Sequence, residues 1–175
     1  MLKKIKHCGV MFAGVLNPDT LGEHSCRSGQ IGFMLACETK DASPERVSLL
    51  CLMHDIGEIR VGDAHRIAER YVEVKPGERT AMMEQTEPLP PAIRTHIRSL
   101  WDEFHDQKTL NARLARDADL LETMMQAKEY LDCGYKAAQR WLDNGKKLLQ
   151  TPIAKKMFTE MCKTPFTDWW NHLNR

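Results

Sequence analysis

The chain has 175 residues, enough for one domain with a self-sufficient core, and its 25 Lys plus Arg against 24 Asp plus Glu leave a formal charge of +1. So even a balance offers no broad basic field for a polyphosphate backbone, and nucleic acid is not expected as a partner. A composition 42% hydrophobic and 28% charged also excludes the charged, aromatic-poor pattern of disordered chains.

At the N-terminus the basic cluster Lys3-Lys4-Lys6 precedes an apolar run broken by Gly9 and Gly14. No stretch approaches the ~20 apolar residues of a membrane span, so neither a leader nor a membrane partner is expected. After Asn17-Pro18-Asp19 a helix is predicted from about Thr20 to Glu38, with His24, Ser28, Ile31 and Leu35 on one stripe. Ser43-Pro44 supplies an N-cap and a first-turn proline for a second helix, predicted to run to about Glu58 with Val47, Leu50, Cys51 and His54 in register. Residues 60–79 hold Gly62, Pro76 and Gly77 among many charges and are predicted as a loop with a short helix. Leu89-Pro90-Pro91 resets the chain before an amphipathic helix marked by Ile93, Ile97, Leu100, Trp101 and Phe104. A long helix follows from about Thr109 to Leu131, with Leu110, Leu114, Ala118, Leu121 and Met125 on one face and Gly134 at its end. The tail is predicted as two or three shorter helices broken near Gly145, Pro152 and Pro165, its Trp169 and Trp170 packing on the body or on a second subunit. No segment alternates long enough for a strand and no repeat occurs, so the fold class is all-α.

The six cysteines (Cys8, Cys26, Cys37, Cys51, Cys133, Cys162) form no CxxC pair and are expected as reduced thiols, which with the lack of a leader points to the cytoplasm.

Chemistry concentrates at Met53-His54-Asp55-Ile56-Gly57-Glu58. The stripe 47-50-51-54 places a histidine on a buried helical face with an aspartate beside it, and Glu58 falls four residues after His54 and three after Asp55. Carboxylates buried without partners carry a penalty of several kcal/mol each, so a cation is expected there. A lone His-Asp pair is common by chance. Two further segments strengthen it: Gly22-Glu23-His24-Ser25, and Ala118-Asp119-Leu120-Leu121-Glu122, each setting a ligand-type side chain beside an apolar stripe. Imidazoles and carboxylates from three helices suit Zn, Mn, Co or Fe with positions left open for water. Periodicity leaves Asp117 and Asp119 equally placed as the fourth ligand.

The order His24, His54-Asp55, Asp119 resembles the H…HD…D signature of the HD-domain phosphohydrolases. With the flanks Leu21–Ser25, His54–Asp63 and Ala118–Glu122 plus Gln126–Tyr130, the chain is similar to the branch that holds the bacterial 5′-deoxynucleotidases and HD domain-containing protein 2. That resemblance implies a single HD-domain bundle of about six to nine helices over residues 1–175, with core motifs at 20–131 and the helices of 136–175 packed on it. It implies one divalent ion (Mn, Co, Zn, Fe or Mg) on His24, His54, Asp55 and Asp119, the last chosen over Asp117 by its Ala-Asp-x-Leu-Glu context. Glu58 and Asp63 match acidic positions that handle the attacking water and the leaving group, and a nucleotide-like phosphate ester and a homodimer follow from the branch.

The chain departs from that branch in two places. Where the branch has an arginine and a tryptophan upstream of the first histidine, this chain has Lys6-His7-Cys8-Gly9-Val10, and after Gly62-Asp63 it has Ala64-His65-Arg66 in place of proline. Arg27, Arg66 and Lys75 are therefore the expected phosphate contacts. Met82, Met83, Met124 and Met125 are expected in the core; His65, His96, His105 and His172 have no evident partner in the sequence. The same metal site would also serve a nucleotide triphosphohydrolase or a non-nucleotide phosphomonoesterase, and a non-catalytic nucleotide-binding module is a further alternative.

Overall fold

The computed structural model describes residues 1–171 and Leu173; His172 lies outside the described residues. Among them are nine α-helices: α1 (Leu21–Cys37), α2 (Pro44–Met53), α3 (Glu58–Val61), α4 (Val74–Thr86), α5 (Pro91–Asp106), α6 (Leu110–Asp132), α7 (Gln139–Gly145), α8 (Pro152–Lys163) and α9 (Asp168–Asn171). An isolated bridge between Lys6 and Thr20 is the one β pairing among the described residues.

Helix starts follow side-chain chemistry. Thr20 and Glu23 form a capping box on α1, each satisfying the other's backbone N–H. Ser43, Thr109 and Thr151 accept the N3 backbone N–H of α2, α6 and α8.

Two elements differ from the sequence prediction. The second helix stops at Met53, and residues 54–57 form a turn before the short α3. The region predicted as a loop with a short helix leads into a longer helix, α4, that starts at Val74 and has Pro76 in its first turn. A backbone N–H there has no intrahelical acceptor, so proline removes no hydrogen bond and fits at no loss.

Helix α6 is the spine. Its Ala112, Ala115 and Ala118 are wholly buried and keep its surface low, so that α1 and α2 lie close against it. Gly32 of α1 serves the same end, because a Cβ there would sit 2.9 Å from Cys51 Sγ and 3.0 Å from Val47 Cγ1. The core this creates runs from Ile31 to Phe158 and includes Leu35, Leu50, Leu114 and Leu121, all fully buried; each such leucine contributes about 1.5–3 kcal/mol of transfer free energy. Met82 and Met124 are buried as expected, whereas Met83 is exposed. Trp169 and Trp170, expected against the body or a second subunit, lie at the C-terminal end, where Trp170 also meets Phe166. They meet each other at 4.9 Å between ring centroids, and Trp169 is 71% exposed.

Candidate metal centre

Three elements bring the histidine and aspartate side chains together. His24 comes from the buried face of α1, His54 and Asp55 from the turn that ends α2, and Asp119 from α6. His54 ends its helix because its ring turns back on the last turn, where Nδ1–H donates to the Cys51 carbonyl at 2.6 Å. His24 Nδ1–H donates to the buried carboxylate of Glu122. Both rings are thus fixed through Nδ1 and present Nε2 to the aspartates.

His54 Nε2 lies 3.0 Å from Asp55 Oδ1 and 3.7 Å from Asp119 Oδ1; His24 Nε2 lies 3.2 Å from the same Asp119 oxygen and 3.7 Å from Asp55 Oδ2. Donor atoms of His24, His54 and Asp55 all fall within 4.8 Å of one another. Asp119 adds its Oδ1 to them while its Oδ2 is held by Arg116 at 2.5 Å.

The electrostatics match a site built for positive charge. Burial pulls His54 down, but Asp55 and Asp119 outweigh it and push its pKa up to about 10. His24 is likewise raised well above the usual histidine range, burial being overcome by Asp119 and Glu122. Asp119 is held well below the carboxylate range by both imidazoles and Arg116 against the effect of burial. Glu58 moves the other way: burial, then repulsion from Asp55, Asp63 and Glu78, pushes it up to about 9. Its Oε2 is buried with no partner among the described residues. Two imidazole nitrogens, two aspartates and an orphaned acid oxygen are a donor set that fits a divalent metal ion, with the ion taking the place of the Nε2 protons.

Asp117, the other candidate ligand, is wholly buried and turned away from the rings. Its carboxylate accepts from Gln150 N–H, Thr151 N–H and the Thr151 hydroxyl at 2.6–2.8 Å, which fastens α8 to α6. Asp63 Oδ2 accepts the Cys8 N–H at 2.5 Å. All three guanidinium nitrogens of Arg27 are engaged, Nε by Glu122, Nη1 by Glu129 and Nη2 by Gln126. Arg66 and Lys75 are exposed, Arg66 on the loop after α3 and Lys75 in the first turn of α4.

Sequence reasoning did not single out four residues that shape this centre. Glu122 and Arg116 both lie three positions from Asp119 on α6, a spacing that shares a helix face and was available as a signal. His7 meets the His24 ring at 4.7 Å between centroids with the planes tilted by 51°, and its Nδ1 lies 3.3 Å from Asp19 Oδ2. Asp19 is tied in turn to the Tyr130 hydroxyl at 3.2 Å. Only the tertiary fold brings the segment around His7 onto α1.

Residues 1–161 match the family model described as HD domain. Among curated proteins the chain is 30% identical over 132 residues to the 5′-deoxynucleotidase HDDC2 of Xenopus laevis, covering 74% of this chain and 64% of that protein. It is 31% identical over 136 residues to the 5′-deoxynucleotidase HDDC2 of Dictyostelium discoideum, covering 74% and 72%. The match to the Xenopus protein therefore spans just under two-thirds of that relative's length. Among solved structures, a conserved hypothetical protein from Pyrococcus furiosus superposes with a TM-score of 0.78 at 26% identity, covering 93% of this chain and 94% of that one.

Proposed function

The chain belongs to the HD-domain family, and from that premise we infer that it is a metal-dependent phosphohydrolase acting on nucleoside or deoxynucleoside 5′-monophosphates. The observation that carries the reading is the convergence of His24, His54, Asp55 and Asp119 on one buried spot beside Glu58, whose Oε2 has no partner among the described residues. The names of the curated relatives support the substrate class. A bound divalent ion (Mn, Co, Zn, Fe or Mg) supplies a positive centre that acidifies water and neutralises phosphate.

The protein's own residues do the rest. Hydrolysis joins a water oxygen to phosphorus, breaks the ester P–O bond and leaves a proton on the departing oxygen. Glu58, drawn towards its carboxylate form by the neighbouring positive charge, accepts the proton of the water, and the Asp63 carboxylate relays that same proton to the leaving oxygen. Arg27 positions Glu122, and through it His24, instead of contacting phosphate. Arg116, one-third exposed and bonded to Asp119, is the cation that meets the phosphate, with Arg66 and Lys75 as outer cations. The reading extends to a cytoplasmic homodimer, supported by six free thiols and by the exposed apolar Phe33, Leu49 and Leu52 on α1 and α2.

The test is a panel of ribo- and deoxyribonucleoside monophosphates and triphosphates incubated with each ion, His54→Ala serving as control. Orthophosphate released from monophosphates by the wild type alone is expected. Tripolyphosphate released from a triphosphate would move the assignment to a triphosphohydrolase, and no turnover by ion-loaded protein would end the hydrolase reading.

A further inference from the structure

Beside the metal centre, between α3, the loop after it and the start of α4, lies an open cleft of about 390 Å³. This is within the range of about 300–1,000 Å³ usual for small-molecule sites. Asp63 belongs to both places: it adds to the charge that raises Glu58, and it lines the cleft. Val61, Ala68 and Val72 give the cleft apolar walls, and its polar lining is Asp63, His65 and Glu73. Among the described residues no Lys or Arg lines it, so a second phosphate would meet carboxylates there and no cation. A neutral group bearing hydroxyls or amines would find two carboxylate acceptors.

It would also find one fixed donor. His65 Nδ1 accepts the Ala68 N–H at 3.0 Å, which places the proton of the neutral ring on Nε2. Phe12 packs on the His65 ring at 4.7 Å and 84°, holding its plane. Among the described residues Nε2–H has no protein partner. A donor held by a backbone bond and an aromatic edge, with nothing of the protein to donate to, is arranged for a ligand.

Resting on the phosphohydrolase reading, we propose that this cleft receives the leaving-group half of the substrate, an uncharged nucleoside-sized moiety, and that His65 Nε2–H is its specificity-determining donor. The cleft selects a monophosphate ester of a neutral alcohol over one whose leaving group carries further phosphate.

The test uses the full chain with two substitutions outside the hydrophobic core: Ala68→Leu, which narrows the cleft, and His65→Phe, which keeps the ring and removes the donor. Steady-state kinetics compare a deoxynucleoside monophosphate with methyl phosphate, whose leaving group is too small to reach the cleft. The ratio of kcat/KM values should fall about tenfold in each variant, chiefly through KM. Calorimetry should show the free deoxynucleoside binding the wild type and binding Ala68→Leu more weakly. An unchanged ratio in both variants with nucleoside binding intact would overturn the proposal and leave the hydrolase standing. Wild type that hydrolyses neither ester, yet binds nucleoside at a site Ala68→Leu blocks, would end the hydrolase reading and uphold the cleft. Wild type that neither hydrolyses nor binds would end both.

Discussion

Glu122 shapes the centre through His24, whose Nδ1 it holds while itself pinned by Arg27. Glu122→Gln keeps the shape but removes the charge that favours a basic Nε2, so affinity for the divalent ion should drop about 10- to 100-fold with little change in Tm; equilibrium dialysis measures it, and unchanged affinity would separate Glu122 from the site. A second prediction follows from protonation. His54, with its pKa pushed up to about 10, carries a proton at neutral pH that an ion must displace, so binding releases protons and affinity weakens as pH falls. Calorimetry in buffers of differing ionisation enthalpy reads that release; proton uptake would contradict the assignment. At this scale the sequence was informative where ligand types stood in a spaced pattern. It was silent on His7 and Asp19, whose closeness to His24 arises only when the segment before α1 pairs with Thr20.

Helix α6 carries two aspartates two residues apart that face different neighbours, Asp117 the start of α8 and Asp119 the histidines. Asp117→Ala should lower stability by roughly 2–4 kcal/mol, since it removes three hydrogen bonds to a buried carboxylate at the start of α8, yet leave ion binding intact. Asp119→Ala should do the reverse. Denaturant unfolding and dialysis on the pair decide this, and loss of ion in the Asp117 variant would exchange the roles. The turn between α2 and α3 depends on Gly57, where a Cβ would stand 2.5 Å from the Glu78 carbonyl oxygen of α4. Gly57→Ala must push α4 away from the centre, and a lowered Tm with weaker ion binding is expected. Helix caps and prolines made most boundaries legible in advance. The break at His54 was hidden because its cause is a side-chain bond to the Cys51 carbonyl, and the full length of α4, beyond the short helix expected there, was hidden because Pro76 reads as a breaker unless the helix start is known.

Across the whole molecule, α1 and α2 are laid on α6 by alanines and Gly32, and the histidines and aspartates meet where those helices converge. The apolar periodicity of the long helices made this all-α architecture legible, because each stripe needs a partner face. The cleft beside α4 was not legible, since it is a space between segments and no pattern within one element encodes it. No helix among the described residues is long and apolar enough to cross a membrane. The proposed phosphohydrolase activity depends on one ion held by His24, His54, Asp55 and Asp119. The most direct measurement titrates a divalent ion into chelator-stripped protein and follows bound metal and orthophosphate released from a deoxynucleoside monophosphate together. Both should rise in step and level off at one ion per chain, and Asp119→Asn should abolish both. Phosphate release by the stripped protein, or full release by Asp119→Asn, would contradict that dependence.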